Sequence, residues 1–457
     1  MKNVGFIILF INLFSISGFS LCKAEPTIET TGKIVLTKSF EAKDVPSNGQ
    51  FASLTNEFLL TLDANAKGSS WGLKGAESPV LTVFVDGKYN QDLMLFAGAE
   101  RFTYQISLGK YEKGEHTLVI VLNKTRSALN SKNVKIYSQK IFAAKSLAKD
   151  NEQDLAAIAN SPILYARPNA IGKFTDIPLI TYYEILPVNE NHFKIRYTTI
   201  FTNEDGGTRT AALMARWGRP TDIEWVYEIE IKDDKIVSET YQGANHETKN
   251  FKGNRIFGNH PLIYTVTDNN NFSDTGCSAL RSSMLPIKAD LSRKSRETVM
   301  DENPWTYRVM AEEAIRENRI NPQQLDVSTI DNLQNYLYVE IYSENDSATV
   351  AVEAQTTDGK TSRSDFGDAR LRADRSGYKR IAVKLPSPNS PLKALSIICQ
   401  KTSDAQSSSD CRNTQIIKFV RLDEKYRLRN ITNPKDEIRS LKSGEKLSWQ
   451  LQGSTQS

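Results

Sequence analysis

The chain has 457 residues, and its 58 Lys and Arg stand against 54 Asp and Glu, for a formal charge of only +4. The two signs are mixed along the whole chain, so there is no electrostatic footprint for a nucleic-acid partner. The length exceeds what one hydrophobic core usually supports and implies roughly two to four domains.

Lys2, an apolar run from Val4 to Phe19 and the small-residue boundary Cys22-Lys23-Ala24 have the n-region, h-region and cleavage pattern of a secretory signal peptide over residues 1–24. The run is shorter than the ~20 apolar residues of a spanning helix, and no later stretch is apolar enough to cross a bilayer. An alternative, lipid attachment at Cys22, meets Leu21 where such signals want a small residue. The expectation is an exported chain, periplasmic or extracellular, with no transmembrane segment after cleavage.

Residues 25–145 read as strand after strand, with Glu57–Leu62 and Val80–Val85 rich in β-branched and aromatic residues and Asp86-Gly87 a hairpin turn pair. They predict an N-terminal antiparallel β-sandwich, similar to accessory domains that bind carbohydrate. Trp71, in the loop Gly68-Ser69-Ser70-Trp71-Gly72, is either a platform for a sugar ring or a cap on the sandwich core. Residues 146–160 predict a linker with a short helix, and 161–300 a second β-rich unit. Over 301–322, Asn303 as N-cap and Pro304 as first residue predict a helix with Trp305, Val309 and Ile315 on one face. A C-terminal β-rich region is expected over 323–429, either a separate domain or the completion of the second, and a polar, mobile tail over 430–457. The fold class is thus mainly β, antiparallel sandwiches in several domains with a few short helices.

Four cysteines are present and no two stand in a CxxC pair, which argues against structural zinc and thioredoxin-like redox chemistry. Cys399 and Cys411 flank a polar loop and suit a short disulfide in an oxidising compartment, leaving Cys277 over. The sequence contains no GxSxG, HExxH or P-loop motif.

Chemistry concentrates between Tyr197 and His246, where Trp217, Asp222, Glu224 and His246 gather. Alternation on both sides of Asp233-Asp234 predicts a hairpin in which Lys232 pairs with Lys235. Continued symmetrically, Glu224 falls opposite Gly243, Asp222 opposite Asn245 and Thr221 opposite His246. Asp222 and Glu224 then leave one face of a strand, with His246 at the same end. Two carboxylates and an imidazole suit a divalent cation (Ca, Mg, Mn or Zn) or acid/base chemistry, and equally a polar cross-strand cluster. His260, beside Pro261, is a candidate for the same cleft or a turn residue satisfied by backbone. Asp268–Asp274 lacks the Gly and Glu of a calcium loop and reads as an Asn-rich turn.

The order SPILYARP (Ser161 to Pro168), RYTTIFTNEDGGT (Arg196 to Thr208) and GRPTDIEWV (Gly218 to Val226), then a hairpin ending in His246, resembles the Vps62-like domain, related to the necrosis-inducing NPP1 family. The resemblance covers about Ser161 to Asp274. It implies a β-sandwich and, from the necrosis-inducing group, a divalent-cation site used on membrane glycolipids. Asp222 and Glu224 match the Asp and Glu of the family motif. Ile223 replaces its Trp, Pro220 and Thr221 stand where it has His, and His246 matches by order and spacing.

Three functions follow as expectations. The first is a protein binding a glycan or glycolipid surface through Trp71, Trp217, Asp222, Glu224, His246 and His260, with Asp222, Glu224 and His246 as the set for a cation. The second is a metal-dependent hydrolase of envelope or extracellular polymers. The third is a non-catalytic envelope scaffold.

Overall fold

The computed structural model describes residues 25–43, 56–149, 151–323, 326–402, 409–430 and 437–451. The signal-peptide expectation over residues 1–24 lies outside them. The chain is mainly β, in several antiparallel sheets, and no described helix is long and apolar enough to cross a membrane.

The N-terminal sandwich sets Gly32–Ala42, Gly114–Asn123, Val80–Val85 and Lys88–Met94 side by side, in that order. Its second sheet centres on Glu57–Ala66, between Phe102–Lys110 and Val134–Ala143. Asp86 and Gly87 both have positive φ, 50° and 74°, as the tight turn between Val80–Val85 and Lys88–Met94 requires.

The central unit has a six-stranded sheet: Thr248–Asn250, Lys235–Gln242, Ile223–Lys232, His192–Phe201, Pro178–Asn189 and Ile287–Lys288. In His192–Phe201, buried Phe193, Ile195 and Tyr197 alternate with half-buried Lys194 and Arg196, the signature of a strand with one face inward. Ile195, Tyr197 and Val226 pack against Leu164, Ile263 and Phe272 of a smaller sheet built on Ile163–Tyr165 and His260–Thr265.

The C-terminal sandwich packs Tyr336–Asp346 and its neighbours Gly377–Lys384 and Asp410–Leu422 over Ala348–Thr356 and Leu392–Lys401, around its own apolar core. Cys399 and Cys411 are disulfide-bonded across it. Cys277, expected to be left over, is itself disulfide-bonded.

Three connecting segments differ from expectation. The 146–160 linker is packed structure: helices Ala144–Ala148 and Glu152–Ala159 bury Leu155 and Ile158 against Leu59 and Leu285. The tail is not a free end over its described part. Lys446–Gln450 adds an edge strand to Leu392–Lys401 because Leu447 and Trp449 alternate into the core. The helix runs Trp305–Arg316 after a short Thr298–Glu302 helix, and Asn303 does not cap it; its amide donates back to Val299 O at 2.9 Å. The buried face carries Tyr307, Val309, Met310 and Ala314, while Ile315 is exposed.

That helix touches all three sandwiches. Trp305 stacks on Phe96 of the N-terminal sandwich with ring centroids 5.0 Å apart. Arg316 donates to Phe174 O of the central unit at 2.5 Å. Tyr307 meets Tyr338 of the C-terminal sandwich at 6.4 Å. The largest apolar cluster accordingly runs without interruption from Leu60 through Ile180 and Met310 to Tyr338 and Leu422.

Candidate functional site

The hairpin about Asp233-Asp234 forms with Lys232 paired to Lys235, both aspartates at positive φ. Its far end departs from the symmetric register. An extra residue at Val237 shifts the ladder, so that Glu230 faces Ser238 and Tyr227 faces Tyr241. Gln242 then pairs with Thr248 of the next strand, and the chain turns through the short helix Ala244–His246. The expected pairs Glu224–Gly243, Asp222–Asn245 and Thr221–His246 therefore do not form. His246 still reaches one of the carboxylates: its Nδ1 lies 3.8 Å from Glu224 Oε2. The Gln242 amide sits between them, donating to Glu224 Oε2 at 2.6 Å and lying 2.8 Å from His246 Nδ1.

The Asn-rich turn supplies the other amides. Asn270, at positive φ, donates to Asp222 Oδ2 at 3.1 Å. Asn269 and Asn271 place theirs 3.2 and 3.3 Å from the two nitrogens of His246. A run read as a turn for its backbone tolerance thus also positions the imidazole and the buried carboxyl.

Asp222, Glu224, His246 and Trp217 line one cavity of about 210 Å3. Glu204 joins them from the loop after His192–Phe201, and Arg375 and Lys379 come from the C-terminal sandwich. The helix Thr210–Trp217 presents Trp217 there, half-buried, and ends at Gly218 with φ of 64°. A Cβ on Gly218 would also come within 2.8 Å of Arg380 Cγ, so the turn needs glycine on both counts.

Burial, then the neighbouring Glu224 and Glu204 charges, raise the Asp222 carboxyl well above the carboxylate range. Burial is also the main cause that brings Glu204 up to about 7. Two of the cavity's carboxyls are thus shifted toward their neutral form by burial and by their neighbours. Among the described residues no group of three His, Cys, Asp or Glu side chains is arranged to hold a metal ion. Gln242 between Glu224 and His246, and Asn270 on Asp222, account for that spacing.

Two of the expected ligand residues lie elsewhere. Trp71 is fully buried, and its Nε1 donates to Glu313 Oε2 at 2.7 Å. It closes the junction of the N-terminal sandwich with the helix Trp305–Arg316 and presents no face to a sugar. Trp71→Phe removes that donor from a buried carboxyl and is expected to lower stability by about 2 kcal/mol in thermal unfolding, leaving saccharide binding unchanged. His260 is also fully buried, with Nε2 3.1 Å from Glu57 Oε2 and Nδ1 2.8 Å from Ser161 O. It ties the central unit to the N-terminal sandwich and does not face the cavity.

Sequence reading missed Glu204, Gln242, Arg375 and Lys379. Glu204 sat in a run that reads as a plain turn. The basic pair lies more than 150 residues from Asp222, a separation with no sequence signal.

No family model matches the chain, and no curated protein matches it. One solved structure, described as an EclA C-terminal domain and sugar-binding protein, is 19% identical. It covers 24% of this chain and 69% of its own, at a TM-score of 0.18.

Proposed function

We propose that the protein is an exported glycan- or glycolipid-binding protein whose saccharide site is the cavity between the central unit and the C-terminal sandwich. One observation carries this reading. An indole, carboxyls and the Asn269 amide line a single cavity, with His246 43% exposed at its edge. An aromatic surface suits the apolar face of a sugar ring, and carboxyls and amides suit its hydroxyls. In this reading Trp217 offers the apolar surface, and Glu224, the Asn269 amide and His246 bind hydroxyls. The disulfide-bonded cysteines support an oxidising compartment and hence export. The resemblance of Ser161–Asp274 to Vps62-like domains belongs to the same proposal.

A cation-assisted form of the site would draw on Glu204, Asp222 and Glu224, the ion supplying countercharge to carboxyls gathered in one cavity. A second reading, hydrolysis of an envelope or extracellular polymer, is favoured by two carboxyls in one cavity, Asp222 with its carboxyl raised well above the carboxylate range by burial, and Glu224.

Calorimetry of the mature protein against a panel of oligosaccharides, with and without Ca, Mg, Mn or Zn, tests all three. Binding is expected, weakened about 10–100-fold in Glu224→Gln, the worth of a hydrogen bond to a charged group. Proton release on adding metal alone would establish the cation, and shortened products by mass spectrometry would establish hydrolysis. Absence of binding across the panel at millimolar concentrations would remove the glycan reading and leave the scaffold.

A further inference from the structure

The basic side chains of the cavity are unused in the reading above. Arg219 is consumed by a buried ion pair with Glu297 at 2.8 Å. Arg216, Arg375 and Lys379 differ: no carboxylate lies within ion-pair distance of any of them among the described residues, although all three line the cavity.

Each is held in place by uncharged partners. The Arg216 guanidinium donates to the Arg370 carbonyl, and its Nε is buried without a partner. Lys379 is almost fully buried; its Nζ donates to Ser343 Oγ at 2.8 Å, Gly377 O at 3.1 Å and Ser343 O at 3.3 Å. Arg375 is exposed, with its guanidinium 5.4 Å from the centroid of the Trp217 ring. Asp374 is the one carboxylate that acts appreciably on Lys379, and it makes no ion pair with it.

Gathered cations that lack countercharge in a partly dehydrated cavity are costly unless an anion is supplied. The carboxyls of the central unit do not supply it: Glu224 accepts from the Gln242 amide at 2.6 Å and Asp222 from the Asn270 amide at 3.1 Å, and neither forms an ion pair with these three side chains. Burial pushes Lys379 down to about 7, the response of an ammonium awaiting a negative partner.

We infer that the saccharide taken by this cavity is an acidic one, its oxyanion held by Arg375 and Lys379 of the C-terminal sandwich while its hydroxyls meet the Glu224 side. This rests on the glycan site being this cavity. The planar fork of Arg375, laid on Trp217, matches a carboxylate, sulfate or phosphate in two-point contact. The C-terminal sandwich thereby selects the ligand that the central unit binds.

The test uses the full mature chain and four probes in calorimetry: an oligohexuronate, a sulfated oligosaccharide, a neutral oligosaccharide of equal length, and inorganic phosphate. An acidic saccharide is expected to bind at least tenfold more tightly than the neutral one, and the sulfated and uronate arms identify which oxyanion is preferred. Arg375→Ala, at an exposed position, is expected to abolish the preference for the acidic saccharide. Lys379→Met is the second variant. Equal affinity for acidic and neutral saccharides overturns the inference and leaves the glycan reading standing. So does a preference that survives in both variants. Phosphate binding with no affinity for any saccharide removes both.

Discussion

Replacing Arg380 with methionine is expected to lower the free energy of unfolding by about 3–5 kcal/mol, the loss seen when one member of a buried ionic group is deleted. Arg380 is 1% exposed. Its guanidinium forks onto Asp301 at 2.8 and 2.6 Å, reaches Glu340 at 2.9 Å and donates to Tyr307 Oη at 2.6 Å. Those partners stand on the short Thr298–Glu302 helix, the C-terminal sandwich and the helix Trp305–Arg316, the hub helix that touches all three sandwiches. The substitution keeps the aliphatic volume but leaves two buried carboxylates with Lys418 as their remaining cation, 2.8 Å from Asp301 and 3.4 Å from Glu340.

The pH dependence follows from Asp301. Burial alone would raise its carboxyl, but Arg380 and Lys418 outweigh burial and hold it down to about 2. Its contribution is therefore fully present above the ordinary value of 3.8 and is lost as pH falls toward about 2. The deficit of Arg380→Met should be largest near neutrality and shrink below pH 3. Urea denaturation at both pH values measures it, and a loss under about 1 kcal/mol at pH 7 would refute the role given to this group. Because Arg380 Cγ closes on Gly218, the loosened seam should also weaken ligand binding at Trp217 next door.

Glu313→Gln is expected to act in the opposite direction, stabilising the protein at pH 8. Glu313 is fully buried on the hub helix, and burial, then the neighbouring Glu317 charge, raise its carboxyl from 4.5 to about 8. An unfolded chain releases that proton above pH 4.5, whereas the folded protein keeps it until about pH 8. Stability therefore falls with rising pH through that window and levels off above it. A shift of this size is on the order of 5 kcal/mol. Glutamine retains a carbonyl acceptor for Trp71 Nε1 and carries no charge. Parent and variant should be similar at pH 4 and separate by a few kcal/mol by pH 8, read from denaturation midpoints. A constant difference across the range would show that Glu313 does not carry this proton.

Much of the local structure was legible in the residues themselves. The alternation of Phe193, Ile195 and Tyr197, the paired aspartates at 233 and 234, and the apolar stretch after Pro304 each express a rule that acts within a few residues. The carboxyls of the site could be found for the same reason: Asp222 and Glu224 are two apart at the start of one strand. The hairpin register failed at the far end because one extra residue at Val237 leaves no mark in a pattern that is polar on both faces there.

Long-range partners decided the rest. Trp71 lies 242 residues before Glu313, and His260 lies 203 after Glu57. Nothing near Trp71 or His260 distinguishes a ligand-facing side chain from one buried against another sandwich. The tail read as free because its polarity was counted along the chain, whereas Leu447 and Trp449 alternate into a core that other strands build. By itself, then, the sequence determined the β architecture, the turns and the acidic end of the site, since these follow from side-chain period and backbone preference. Only the tertiary structure decided which aromatic and imidazole groups are buried, and that a basic wall stands across from the carboxyls. Those outcomes depend on how whole sandwiches pack, and burial is a property of the assembled core rather than of any residue's neighbours in the chain.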